Sequence, residues 1–300
     1  MPHPTENRCM VSLEVLKRKI DTAKDLKSVV RTMKALAAVS IRQYEKSVLS
    51  LSDYDRTMKM GIQVLLKNYP EVLIDTSPLP SPRYGIVVFG SDQGMCGQFN
   101  EKIGELALEN IAKINPSYFL IATVGSRVRD RLEAARQDVK ICLNVPSSIA
   151  GITPVVQEMV LILEGWRSNN QINQIIVLHN SPRGNSSYNP QKNQIFPLNP
   201  PWLKELQKQP WGSRVLPTFT MEKETLASAL FRQHFFVSLY KSCAESLASE
   251  NAGRLVSMQI AEKNIAECLE ALQAEFNQLR QAIITEELLD IVSGFEALTQ

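Results

Sequence analysis

Histidine is scarce in this chain of 300 residues, and its three copies, His3, His179 and His234, stand far apart. Cysteine is little commoner. Cys9, Cys96, Cys142, Cys243 and Cys268 form no close pair and no zinc-type spacing. That argues against a metal centre or disulfide framework and for reduced, mostly buried thiols in a cytosolic setting. No apolar run approaches the roughly 20 residues that cross a bilayer. The longest, "YGIVVFG" and "YFLIATVG", are far shorter, so any membrane role is expected to be peripheral. The opening "MPHPTENRC" lacks the apolar core of a secretory signal. Charge of one sign is not in excess either: the net charge is +2, and nucleic-acid binding calls for a one-sided basic surface. What is present is 44% hydrophobic residues, enough for a sizeable core in one large domain or two ordinary ones.

Proline is missing where it matters most. Fourteen of sixteen prolines lie between Pro70 and Pro217, which leaves 5–69 and 218–300 free of the residue that most strongly breaks helices. Two long helices are expected there. The first is placed at about 12–60, with Ser12 as N-cap and Glu14 in its first turn. Its stripe runs Leu16, Ile20, Ala23, then Val30, Met33, Ala37, Ile41, Tyr44, Val48, Leu51, mostly in steps of three or four. The last segment keeps a stricter beat at Ile265, Leu269, Leu272, Phe276, Leu279 and Ile283, as a coiled-coil seam requires. Charge agrees with mutual pairing: 11–60 holds eleven basic residues against six acids, and 218–300 six against twelve.

Between them the pattern changes. "YGIVVFGSD", "YFLIATVGS", "VKICLNV" and "NQIIVLHN" read as strands, most of them apolar throughout as strands buried on both faces tend to be. Helical patterns around 98–113, 125–136 and 152–168 alternate with them. The expected fold is α/β: a long antiparallel coiled coil of the terminal helices plus a doubly wound, mainly parallel α/β domain. The boundaries fall at 1–70, 71–217 and 218–300, with the last helix packing on 12–60. Residues 184–217, rich in Pro and Asn, read as loop with one edge strand near "NQIFPL", pinned to the domain by Trp202 and Trp211.

The stretch "RQAIITEELLDIVSG", Arg280 to Gly294, is apolar over half its circumference through Ile284, Leu288, Leu289, Ile291 and Val292. An arc that wide belongs to an enclosed helix. If the last helix spans about 220–293 and both helices leave the middle domain at one level, it overhangs the first by about 25 residues, or about 35 Å. Such an arc needs another protein to cover it.

Enzyme-like features are weak. "FGSDQGMCGQFN" is a glycine-bearing turn between strand and helix, where such folds bind phosphate, but it has neither dinucleotide glycine spacing nor a P-loop lysine. Its plain alternative is a tight turn with Cys96 packed beneath it. "HNSPRG" at 179–184 is loop chemistry without catalytic geometry.

Together these pieces resemble the gamma subunit of F-type ATP synthases. "ESLASENAGRLVSMQIAEKNIAECLEALQAEFNQLRQAIITEELLDIVSGFEAL", 245–298, is similar to the family's C-terminal helix almost throughout. "LKRKIDTAKDLKSVVRTMKALAAVS" resembles its N-terminal helix, and "SDQGMCGQFN" its "SDRGLCGGFN"-like turn. The resemblance implies a central shaft with no active site and no cofactor of its own. Its coiled coil turns inside three alpha and three beta subunits, and its α/β foot meets the epsilon subunit and the membrane rotor ring, peripherally on the cytoplasmic face of an energy-transducing membrane. It implies no nucleic-acid partner. By motif position, Arg280, Gln281, Thr285, Glu287 and Asp290, with Arg254, are expected to contact catalytic-subunit loops or form a network within the coil. Met33 and Lys34 match the short-helix position facing the same region. The chain departs from the family pattern in "VSIRQYEKS", in Gln93 where Arg is usual, and in about ten residues before the first expected helix. Two other readings stay open: a stand-alone α/β nucleotide-binding enzyme dimerised through its terminal helices, and a static coiled-coil scaffold, which requires the seam to continue to the helix end.

Overall fold

Once Pro4 is passed, nothing up to Asn68 obliges the backbone to leave a helix, and helix α1 runs Pro4–Asn68 without interruption. The computed structural model describes residues 4–70, 81–114, 118–184, 187–212 and 215–299, with side chains described between 13 and 295. The start at Pro4 corrects the expectation of an N-cap at Ser12. Proline suits a first helical position, where its fixed φ is already helical and its missing N–H costs nothing, so Ser12 lies inside the helix. The other long helix, α6, spans Lys223–Thr299. At 65 and 77 residues the two differ by 12, so the expected 25-residue overhang does not follow from their lengths.

Both helices contribute to two units, one made of 1–36 and 256–300, the other of 37–255. In the first unit Leu16 and Ile20 are buried, and Ala23, Val30 and Met33 are half-buried. On α6 the half-buried positions include Ile265, Leu269, Leu272, Phe276, Leu279 and Ile283, the expected seam. Half-burial is what a two-helix seam leaves, since each knob has a partner on one side and water on the other.

In the second unit the same two helices pack antiparallel. Tyr44 clusters with Cys243, Ala244, Leu247 and Ala248. The Tyr54 hydroxyl donates to Gln233 Oε1 at 2.6 Å. At Gly61 an added Cβ would lie 2.9 Å from Leu230 Cδ2, so the missing side chain permits close approach. The sheet comprises β1 (Arg83–Phe89), β2 (Tyr118–Val124), β3 (Val139–Leu143), β4 (Gln174–Arg183) and β5 (Ser187–Phe196) in the order β3-β2-β1-β4-β5. The first four are mutually parallel, and β5 is an antiparallel edge strand. Helices α2 (Phe99–Ile114) and α3 (Ser126–Ala134) cover one face through Ile103, Ala107, Val128 and Leu132. Helix α4 (Ile149–Asn169) covers the other, and α6 residues Phe235, Leu239 and Cys243 share its core.

By length and composition α4 could cross a membrane, yet Ile152, Val156, Met159, Leu163 and Trp166 bury one of its faces in this core. The loop reading of 184–217 needs correction. Strand β5 extends well beyond "NQIFPL", and α5 (Pro200–Lys208) forms after it, started by two prolines at its first positions. Its Leu203 and Leu206 pack with Met58, Ile62, Leu65 and Leu66 of α1, so burial carries a stretch whose composition speaks for a loop. Trp202 stacks on His234 at 5.9 Å between ring centroids.

Candidate functional site

The half-buried rhythm of α6 stops at Ile283, and every side chain from Ile284 to Phe295 is exposed. The exposed apolar groups are large: Ile284, Leu288 (58%), Leu289 (64%), Ile291, Val292 and Phe295. Among them sit the expected polar contacts. Arg280, Gln281, Glu287 and Asp290 are exposed, and no ion pair is formed by Arg280, Glu287 or Asp290 among the described residues. The Thr285 hydroxyl donates to the Gln281 carbonyl at 2.9 Å, and that of Ser293 to the Asp290 carbonyl at 3.0 Å. These bonds occupy the hydroxyls locally and leave the amide of Gln281 and the charges of Arg280, Glu287 and Asp290 facing outward.

Lys34 is engaged otherwise. With Arg31 it holds Glu262 of the opposite helix, Arg31 Nε donating at 2.8 Å. Hydrogen bonds from Lys34 and then Arg31 draw the Glu262 carboxyl down to about 2. Glu262 escapes sequence reasoning because its partners stand more than two hundred residues away; only the opposite charges of the two segments point to such a pair. Met33 is half-buried beside this bridge.

Arg254 belongs to the other unit. Its guanidinium donates to Glu250 at 2.6 Å and to Asn251 at 3.3 Å, and both ends of the ion pair are nearly buried. Burial pushes the Glu250 carboxyl up, and Arg254 opposes that. The pair lines a cavity of about 250 Å³ with Tyr44, Asp92, Gln93 and Val145.

The glycine-bearing turn lies beside it and is closed by its own bonds. Asn100 Oδ1 accepts from Ser91 N–H at 3.0 Å, and Asn100 Nδ2 donates to Ser91 Oγ at 2.8 Å. Asp92 accepts from the Ser126 N–H at the start of α3 (2.8 Å) and from the Val145 N–H (2.7 Å). These two donors belong to the segments that follow β2 and β3, so Asp92 fastens the turn to both of its neighbours. Met95 and Gly97 turn the chain with φ near +60°, and Cys96 is buried against Phe99 and Tyr188. The tight-turn alternative therefore describes this motif, with Asn100 closing it on Ser91 and Asp92 tying it to the start of α3.

Residues 242–253 of α6 are buried at all but one position. The Ser249 hydroxyl donates to the Asn180 carbonyl at 3.0 Å, Asn180 Nδ2 to the Phe99 carbonyl at 3.0 Å, and His179 Nε2 lies 2.9 Å from Glu245. Burial alone would raise the Glu245 carboxyl, but His179, Lys241 and Ser181 hold it below its ordinary range. "HNSPRG" thus supplies packing partners for α6.

Fold and site define a class: proteins with two long terminal helices and a doubly wound α/β domain whose turn is self-satisfied. The family model described as ATP synthase matches residues 12–298. The ATP synthase gamma chain of Geotalea uraniireducens (strain Rf4) is 27% identical over 296 residues, covering 96% of this chain and 99% of its own. That of Geobacter metallireducens (strain ATCC 53774 / DSM 7210 / GS-15) is 28% identical over 299 residues, with the same shares. Among solved structures, a chain of the Euglena gracilis mitochondrial ATP synthase (OSCP/F1/c-ring, rotational state 3) shares the fold at TM-score 0.60 and 17% identity, covering 96% of this chain and 94% of that one. One from the Tetrahymena thermophila mitochondrial ATP synthase central stalk/c-ring does so at 0.57 and 19%, covering 78% and 99%. The chain belongs to the ATP synthase gamma-chain family.

Proposed function

We infer that this chain is the central rotary shaft of an F-type ATP synthase, coupling ion-driven rotation to conformational cycling of a catalytic ring made by other chains. The observation that carries this reading is the end of the α6 seam at Ile283, followed by an apolar arc from Ile284 to Val292 whose large side chains are each about half exposed or more. A static scaffold would continue its seam, and an enzyme dimerised through its terminal helices would bury the arc against a second copy, which the subunit ratio of the purified complex distinguishes from a shaft. An arc apolar over half its circumference fits a bearing in which contacts are numerous and undirected, so that no rotation angle is locked. Polar groups at the arc and just before it, Arg280, Gln281, Thr285, Glu287 and Asp290, serve as catches; Met33 and Lys34 stand at the matching position of the shorter helix, with Lys34 tied to Glu262, and Arg254 is paired with Glu250 on its own helix. An asymmetric shaft that meets each catalytic subunit differently shifts that subunit's conformational populations, as any partner with differential affinity must. No chemistry is assigned to the chain itself, which accords with the self-bonded turn at Ser91 and Asp92.

Residues 1–70 and 218–300 form the shaft in this reading, and 71–217 the foot, which meets the epsilon subunit and the membrane rotor ring. The complex sits peripherally on the cytoplasmic face of an energy-transducing membrane. Affinity purification through a tag on this chain tests the proposal: alpha and beta subunits are expected at three each per copy. Recovery of a homodimer alone would overturn it.

A further inference from the structure

In doubly wound folds, ligands bind in the crevice at the carboxyl ends of the strands, where strand order reverses around β1. Here that crevice is occupied by the chain's own α6. The register pairs Val88 of β1 with Leu178 of β4, so His179 is level with Phe89, the last residue of β1, and Asn180 stands just past it, beside the Ser91–Asn100 turn. Into this place α6 sends Ser249, bonded to the Asn180 carbonyl, and Glu245, bonded to His179. Asn180 in turn holds the Phe99 carbonyl. Gly253 closes the fit. An added Cβ would lie 2.4 Å from the Cys96 carbonyl oxygen and 3.2 Å from Tyr188 Cε1, so only glycine allows helix and turn to approach this closely.

We propose that the strand-end crevice is a socket for α6, and that Glu245, Ser249 and Gly253 act as positioning residues that fix the helix against rotation about its own axis, making this the joint through which torque passes between α6 and the α/β domain. The proposal rests on the rotary reading above. The physical reason is register. A purely apolar interface tolerates small slides, whereas a buried polar one has a single fit, because a helix turned by even one residue leaves donors and acceptors unpaired out of water. Residues 242–253 are buried at every position but Glu245, which is half-buried, so the helix has no wet face toward which to turn.

The test uses the assembled complex, immobilised through its catalytic ring, with a light-scattering probe on the α/β domain of the full-length chain. While the motor pauses, angular variance is inversely proportional to torsional stiffness. In Glu245→Ala/Ser249→Ala the variance is expected to rise at least twofold at unchanged pause angles, and Ser249→Thr, which keeps the hydroxyl, should stay at the parental value. If the double variant does not assemble, Ser249→Ala alone is measured against the same criterion. Parental variance in the variants overturns the socket and leaves the rotary reading standing. A parental complex that assembles but never rotates removes that reading instead.

Discussion

Replacing Leu288 and Leu289 together by alanine probes the central claim, that the arc at the end of α6 is kept for another protein. The two side chains are 58% and 64% exposed, so each leaves more than half of its area unused by the chain. Full burial of a leucine is worth about 1.5–3 kcal/mol relative to exposure, which leaves about 1–2 kcal/mol per residue to be gained from a partner. The double variant should therefore lose about 2–4 kcal/mol of association, a factor of roughly 30 to 1000 in an equilibrium constant. Its own stability should move by no more than about 0.5 kcal/mol, the usual range for surface positions. Thermal unfolding of the isolated chain, compared with titration of its reassembly onto purified alpha and beta subunits, separates the two effects. A drop of several degrees in the chain's own Tm, or reassembly at parental affinity, would refute the reasoning.

Arg280→Ala with Gln281→Ala should leave assembly intact and lower the number of ions pumped per ATP in reconstituted vesicles; unchanged pumping and synthesis would remove both residues from the mechanism. Glu262 is held in its ionised form, with its carboxyl drawn from about 4.5 to about 2. Its clasp is therefore complete above about pH 4.5 and is lost as pH falls toward 2. Hydrogen-exchange protection around Arg31 and Lys34, taken relative to the intrinsic rate at each pH, should fall across that window in the parent but not in Glu262→Gln. His234 titrates in the opposite sense from a paired histidine: burial, opposed by Asp55 and aided by Lys59, pushes it down to about 4. Stability is full above pH 6.5 and falls by roughly 2–3 kcal/mol toward pH 4, and His234→Phe should flatten that slope in urea unfolding. For Gly253→Ala, helix propensity gains about 1 kcal/mol, but a Cβ 2.4 Å from a backbone oxygen cannot be accommodated without movement. A net loss of about 1–3 kcal/mol is expected, and a stabilised variant in chemical denaturation would contradict the close fit.

Periodicity and proline placement were sufficient for the frame. The seam from Ile265 to Ile283 and the strands around "YGIVVFG" and "QIIVLHN" stand where the pattern puts them, because the 3.5-residue beat and short β-rich runs are local signals that burial only reinforces. The sequence likewise marked the arc after Ile283, since a change in the width of an apolar stripe is written in the order of residues. It misjudged the start of α1, where Ser12 offered a cap that an uninterrupted helix did not need, and it read α5 as loop, because Leu203 and Leu206 reveal their purpose only against α1. Pairing across distance was beyond it. Nothing in "SDQGMCGQFN" says that Asp92 will consume the free N–H groups of Ser126 and Val145, that Ser249 will reach Asn180, or that Glu262 will take both Arg31 and Lys34. Those bonds join residues from 34 to more than two hundred positions apart, and only the packing of helices on the sheet and on one another brings their partners within 3 Å. Local order thus set which elements form and which face is apolar; tertiary structure decided which polar groups are spent inside the molecule and which remain free to meet another.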